Sequence, residues 1–506
     1  MTKTANRELC LRTEDIADSE ILDFYQGAAT ELQIIEKLKG REPVLLRGAR
    51  GTGKSFLMKV AERQLLDGLG KSQSGRVRMP VSLNFASAAI DLDPETSAHD
   101  FKTWVINKIA KKVYRSAKRA GLIRESLAFS GTGSAEDLMY FIEDITDQGM
   151  VHEFVLFIDE AVHVFSPERQ AIFFTIMRSL RSSNLTINAA VYPGVTNFGS
   201  QFEPFQDAEV IDLAKDISSP EYVEWCRRLL QDQAPDYLKR WEKRSGTDYV
   251  PLLAIAASGN PRSLLRLASE SGNPHSVLSQ DNIRMLSNHT ALGDKFSGRE
   301  ELVNWSRQFL QEDLLKWFEV RNQNASHGGA NEFRAYLFIS NKVPAALKFA
   351  VDMLCYSNLL ILHDINYQTR QSPGNRYLVN CCLLLEGLSR NEDRLKFADA
   401  MSMGEVPAKR FREVHPNSKS LNDLPELSLD AEQVDRHDIE QFMKEPVQKL
   451  PLTDFQKKAL QSIGIATVRS AYDADEDQLK EAKGIGEKRA STIRQSIKAA
   501  VFEFIT

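Results

Sequence analysis

The stretch RGARGTGKSFLMKV, residues 47–60, constrains the fold more than any other part of this 506-residue chain. It sets Gly48, four residues, then Gly53-Lys54-Ser55, between an apolar run and an amphipathic one. Glycines at 48, 51 and 53 leave the backbone bare, so successive N–H groups can turn inward on phosphate oxygens. Lys54 brings positive charge for the β and γ phosphates, and Ser55 brings a hydroxyl for Mg²⁺. Thr52 and Phe56 complete the phosphate-binding stretch. PVLLRG (43–48) reads as the strand entering the loop, and SFLMKVAERQLL as the helix leaving it, N-terminus toward the anion. A phosphate loop for ATP and Mg²⁺ is the expectation.

Such a site needs a carboxylate at the end of a neighbouring strand. FVLFIDE (154–160) supplies one: an apolar strand ends at Asp159, expected to hold the Mg²⁺ water shell. Glu160 follows directly and is expected to polarise the attacking water. Lys54 and Glu160 belong to the expected catalytic set. Further strand candidates are residues 79–85, 186–192 and 208–213, with helical patterns between them. That alternation predicts an α/β fold with a parallel sheet covered by helices. From Pro220 to about His289 the pattern is purely helical and predicts a small bundle.

These residues carry a resemblance. Residues 27–269 resemble the AAA+ ATPases, in particular their origin-recognition-like and STAND-related branch. GAATELQIIEKLKGREPVLLRGARGTGKS is similar to that branch's opening, and SGNPRSLLRLAS resembles its second sensor motif in a helical lid. The resemblance implies that Arg262 reaches the γ-phosphate from the lid and joins Lys54 and Glu160 in the catalytic set. It also implies a polar residue at the fourth strand's tip, for which Asn188, Thr196 and Asn197 are candidates. An arginine that reaches a neighbouring subunit's ATP is common in the family, but none lies between Tyr192 and Leu213. Arg178 and Arg181 are the substitutes.

The resulting division is an N-terminal extension (1–26), an AAA+ core (27–218), a helical lid (219–292), a winged-helix-like domain (293–401), a polar linker (402–450) and a small all-α domain (451–506). The winged-helix expectation rests on helices followed by LLILHD and NRYLVN around the turn-rich INYQTRQSPG. Its third helix, VPAALKFAVDMLCYSNLL, carries only Lys348 and Asp352 as charges, so it is expected to pack on protein rather than read DNA.

LKEAKGIGEKRASTIRQSI (479–497) resembles the helix-hairpin-helix of DNA-repair and replication proteins, with a degenerate first copy around Gly464. The resemblance implies non-sequence-specific contact with DNA phosphates through Lys483, Gly484, Ile485, Gly486, Lys488 and Arg489. A protein-docking hairpin is the alternative. The formal net charge of −5 confines any nucleic-acid contact to such a local patch. Five scattered cysteines without a CxxC pair predict reduced thiols. Without an apolar N-terminal core or an 18-residue apolar run, no signal peptide or membrane span is expected, and the location is expected to be cytoplasmic. The expected function is an ATP-driven switch that associates with DNA and with itself or a protein partner. The rival is a STAND-like signalling ATPase with protein-binding C-terminal modules.

Overall fold

Strands β3 (Glu153–Asp159) and β4 (Leu185–Val191) are buried along almost their whole length. A continuous apolar run is what a strand covered on both faces requires. The computed structural model describes residues 10–25, 29–69, 77–85, 96–123, 129, 133–148, 150–159, 167–193, 195–244, 246–295, 300–326, 332–370, 372–425, 443–450, 452–486, 489–490, 493–494 and 497. With β1 (Val44–Arg47), β2 (Arg78–Asn84) and β5 (Glu209–Asp212), these strands form one parallel sheet in the order β2-β3-β4-β1-β5. All five lie within two residues of where the periodicity put them.

Alternate residues of β3 enter different layers. Phe154, Leu156 and Ile158 pack with Phe101, Ile106, Phe141 and Ile145 of the helices Ala98–Arg119 and Ala135–Asp147. Val155 and Phe157 pack with Ile35, Leu38, Val60 and Ala61 of the helices Ala29–Leu38 and Lys54–Asp67. Ile16, Ile21 and Phe24 join this second layer, so residues 10–25 are part of the core's cover. Because β1 lies between β4 and β5, the chain's path reverses at β1, and its carboxyl end opens on a crevice.

The expected bundle follows as Pro220–Gln233, Pro235–Glu242, Val250–Ala257, Pro261–Ser269 and Pro274–Thr290. Each has a proline in its first turn, where the missing N–H costs no helix bond. Ser219, Asn260 and Asn273 cap three of them with their side chains.

A second sheet comes next. β7 (Leu360–Gln368) and β8 (Pro373–Val379) form an antiparallel hairpin, and β8 pairs with β6 (Tyr336–Ser340). The hairpin is longer than the sequence suggested. Most of INYQTRQSPG is strand, and the tip is closed by Thr369 and Ser372. The helix Ala345–Tyr356 is buried along most of its length, as its composition required.

The expected linker needs correcting. Within residues 402–425, Lys419–Leu421 form a 3-10 turn, and β9 (Phe411–Val414) pairs in parallel with β6 at the edge of this sheet. Its four residues lack the length for a periodic signal, so pairing with β6 decides their conformation. The expected boundary at 451 falls too late in the chain. Met443, Val447 and Leu450 lie in the small domain's core, and the Val468 N–H donates to the Glu445 carbonyl at 2.8 Å. The helices Asp454–Ser462, Val468–Asp473 and Glu476–Lys480 complete the described part of that domain before its glycine hairpin. Among the described residues, no helix is long and apolar enough to cross a membrane, and all five cysteines are free.

Candidate nucleotide-binding site

β1 delivers the chain to Gly48 at the sheet's carboxyl edge, and the helix Lys54–Asp67 begins directly after the loop. Gly51 and Gly53 stand at φ +87° and +97°, a backbone region that side chains other than glycine's rarely tolerate. Gly51 has a second reason to be bare: a Cβ there would lie 2.8 Å from Asn260 Oδ1 and 2.9 Å from Arg262 Cβ. The loop is therefore built against the start of the helix Pro261–Ser269.

Lys54 is 5% exposed. Its ammonium donates to the carbonyls of Gly48 and Ala49 at 2.6 and 2.9 Å and lies 3.8 Å from the Tyr192 ring centroid. The Thr52 hydroxyl donates to the Ala49 carbonyl at 2.9 Å and closes the loop on itself. Ser55 sits in the first helical turn, and Phe56 packs against the layer that holds Val60. Arg50 through Leu57 line a cavity of about 1350 Å³ together with Tyr192, Asn260 and Arg262. That exceeds the roughly 300–1,000 Å³ of ordinary small-molecule pockets. Bare positive-φ backbone, a buried ammonium and a cavity of this size fit a nucleoside triphosphate.

Arg262 lies in the first turn of Pro261–Ser269, and its Nε donates to the Leu11 carbonyl at 3.0 Å. Burial and the neighbouring Arg50 push its pKa down from the usual arginine value. The positive charge is thus placed where an anion would relieve it. Asn260, which sequence reasoning passed over, does two things. Its Oδ1 accepts the Ser263 N–H, and its Nδ2 donates to the Arg50 carbonyl. The signal was an asparagine directly before a helix-opening proline.

Asp159 ends β3, separated from β1 by β4, and does not line the cavity. Glu160 lies outside the described residues. None of the three strand-tip candidates reaches the cavity. Asn188 is fully buried, accepting the Val44 N–H and donating to the Leu38 carbonyl, each at 3.0 Å. It ties β4 to β1 and to the preceding helix. Thr196 both accepts the Tyr192 N–H and donates to the Tyr192 carbonyl, and Asn197 accepts the Gly199 N–H. The residue in that place is Tyr192, whose ring lies over Lys54. A tyrosine following a buried strand was the available signal. Arg178 pairs with Asp207 at 3.6 Å and Arg181 with Glu42 at 3.2 Å, each arginine side chain being about half exposed.

In the small domain, Gly484 stands at φ +88°. A Cβ there would lie 2.8 Å from the Phe455 ring, whereas one at Gly486 would meet open space. Lys483 and Arg489 are exposed, and Arg489 donates to the Gly484 carbonyl at 2.8 Å. Ile485 is buried in the domain's core, so its side chain is a packing group and not a contact. Lys488 lies outside the described residues.

No protein-family model and no curated protein matches the sequence. Solved structures give loose likenesses. The Walker-type ATPase PABY2304 of Pyrococcus abyssi is 17% identical, with a TM-score of 0.41 over 75% of this chain and 98% of that one. The ORC1 protein of Aeropyrum pernix, solved in complex with DNA, is 14% identical, with a TM-score of 0.31 over 76% and 95%. AMPPCP-bound DnaA from Aquifex aeolicus is 10% identical, with a TM-score of 0.29 over 58% and 82%. The chain's own strand order and loop geometry carry more weight than these scores.

Proposed function

We propose that this chain is an ATP-binding and ATP-hydrolysing AAA+ switch of the origin-recognition-like and STAND-related kind, which associates with DNA through its C-terminal hairpin domain. The observation that carries the ATP reading is the convergence of Gly51, Lys54, Asn260 and Arg262 on one cavity. These come from two segments more than 200 residues apart. Backbone N–H groups of residues 51–55 cradle the phosphates, Lys54 and Arg262 balance their charge, and Ser55 with Asp159 would hold Mg²⁺. Bound ATP supplies the anhydride whose cleavage separates two states of the lid. Glu160 orients and deprotonates water.

The DNA reading rests on the open face at Gly486 beside exposed Lys483 and Arg489. Contacts of that kind meet phosphate and carry no base sequence. The deciding experiment is the ATP hydrolysis rate of the whole chain, with Lys54→Ala as control, with and without duplex and single-stranded DNA. A rate unaffected by Lys54→Ala sinks the ATPase reading. A rate and a binding signal indifferent to DNA sink the second half.

One observation favours the STAND-like rival. The helix Ala345–Tyr356, which a DNA-reading domain would place in the major groove, is buried against this chain's own core. In that reading the nucleotide is held tightly, turns over slowly, and the C-terminal domains bind protein.

A further inference from the structure

Tyr192 touches more than Lys54. Its ring meets the Tyr356 ring edge-on, with centroids 5.5 Å apart and an interplanar angle of 65°. Tyr356 is the last residue of Ala345–Tyr356 and belongs to the second sheet domain, not to the core. Tyr192 and Tyr356 are only 6% and 4% exposed. A buried ring bounded in this way has few alternative positions, because a packed interior transmits a displaced neighbour.

The segment carrying Tyr356 is fixed from behind. Ser357 Oγ hydrogen-bonds His289 Nδ1 at 3.0 Å, and His289 Nε2 hydrogen-bonds Ser306 Oγ at 2.7 Å. The Asn358 carbonyl accepts from Asn380 Nδ2 at 2.7 Å. Asn380 Oδ1 in turn accepts from the Ser258 hydroxyl at 3.3 Å, and the Cys381 N–H donates to Ser258 Oγ at 2.8 Å. Ser258 opens the turn that delivers Asn260 and Arg262. The strand tip and the lid turn therefore lean on the same segment of the second sheet domain, and residues 356–358 line the cavity that Lys54 lines.

We propose that the second sheet domain is a third wall of the nucleotide site, in which Tyr356 is a positioning residue that holds Tyr192 against the Lys54 ammonium. The proposal rests on the ATP reading above and adds a regulation to it. A partner that lifts this domain off the core frees Tyr192, lets Lys54 wander and weakens ATP binding. By reciprocity, bound ATP tightens the domain's seat.

The test is titration of the whole chain with a fluorescent non-hydrolysable ATP analogue, alongside steady-state kinetics. Tyr356→Phe keeps the ring and should keep wild-type affinity. Tyr356→Leu keeps apolar bulk without the ring edge and should weaken affinity and raise KM by about three- to tenfold, with kcat changed far less. Tyr192→Leu should match it, and the double variant should be no weaker than Tyr192→Leu alone, because one residue acts through the other. A merely structural Tyr356 would lower the melting temperature and leave affinity untouched. Should Tyr356→Leu fail to fold, amide exchange of the wild type decides: the analogue should slow exchange across residues 345–358. Wild-type affinity in folded Tyr356→Leu, additive losses in the double variant, or unchanged exchange each overturns the proposal. Wild-type chain that binds no analogue, or Lys54→Ala that binds it equally well, instead overturns the ATP reading itself.

Discussion

The side-chain amide of Asn260 donates to the Arg50 carbonyl at 2.8 Å, while its oxygen accepts the Ser263 N–H at 3.2 Å. One residue thus caps the lid helix and clips the lid to the phosphate loop. Losing a cap costs about 1 kcal/mol, and losing the second bond about 0.5–1.5 kcal/mol. Asn260→Ala should lower the melting temperature and weaken nucleotide binding several-fold. Asn260→Asp keeps the cap but loses the donor, so it should recover stability without recovering affinity. Full recovery of affinity by aspartate would remove the clip from the account.

Lys54→Ala should abolish ATP binding, since the phosphates lose their buried ammonium. Nucleotide titration checks this directly. Glu160→Gln should bind ATP normally and lose turnover, because a positioned general base contributes about 10²–10⁴-fold. A loss below about tenfold would assign the proton to another group.

The two hairpin glycines should separate. At Gly484 a side chain meets both a positive φ and the Phe455 ring, so Gly484→Val should unfold the small domain locally. At Gly486 it meets open space, so Gly486→Val should leave the fold intact and block an approaching phosphate. The expected result is a circular-dichroism melt close to wild type, together with DNA affinity reduced similarly on unrelated sequences. Undiminished DNA binding by folded Gly486→Val would make the hairpin a protein-docking element.

His289 ties the stability of the lid and second sheet domain to pH. Burial pushes its pKa down from the usual 6.5 to about 4. The unfolded chain therefore takes up a proton before the folded one does. The stability of the neutral buried ring is fully present above about pH 6.5 and is lost as pH falls toward 4, by an amount on the order of 2–3 kcal/mol. Denaturant unfolding of wild type and His289→Gln across that window should show their difference shrinking with acid. A difference constant with pH would mean that His289 titrates in the folded state as it does in the unfolded one.

Five parallel strands and a phosphate loop could be read directly from the residues, because each is set by local chemistry. A doubly covered strand must be apolar along its covered length, as FVLFI is, and a loop that wraps phosphate must be glycine-rich. The helical bundle that follows was equally visible, because from Pro220 to about His289 the pattern is helical throughout. What local chemistry leaves open is which surfaces meet. Asn260 finds Arg50 across 210 residues, and Asn188 spends its amide on Val44 and Leu38 instead of the cavity. Tyr192 takes the strand-tip place because Lys54 and Tyr356 converge there from separate parts of the chain. β9 becomes a strand because β6 offers an unpaired edge, not because four residues prefer it. Sequence determined the elements and the loop's chemistry. Tertiary packing decided which of the polar and aromatic side chains face the cavity, because that depends on contacts between residues whose separation along the chain carries no periodic signal.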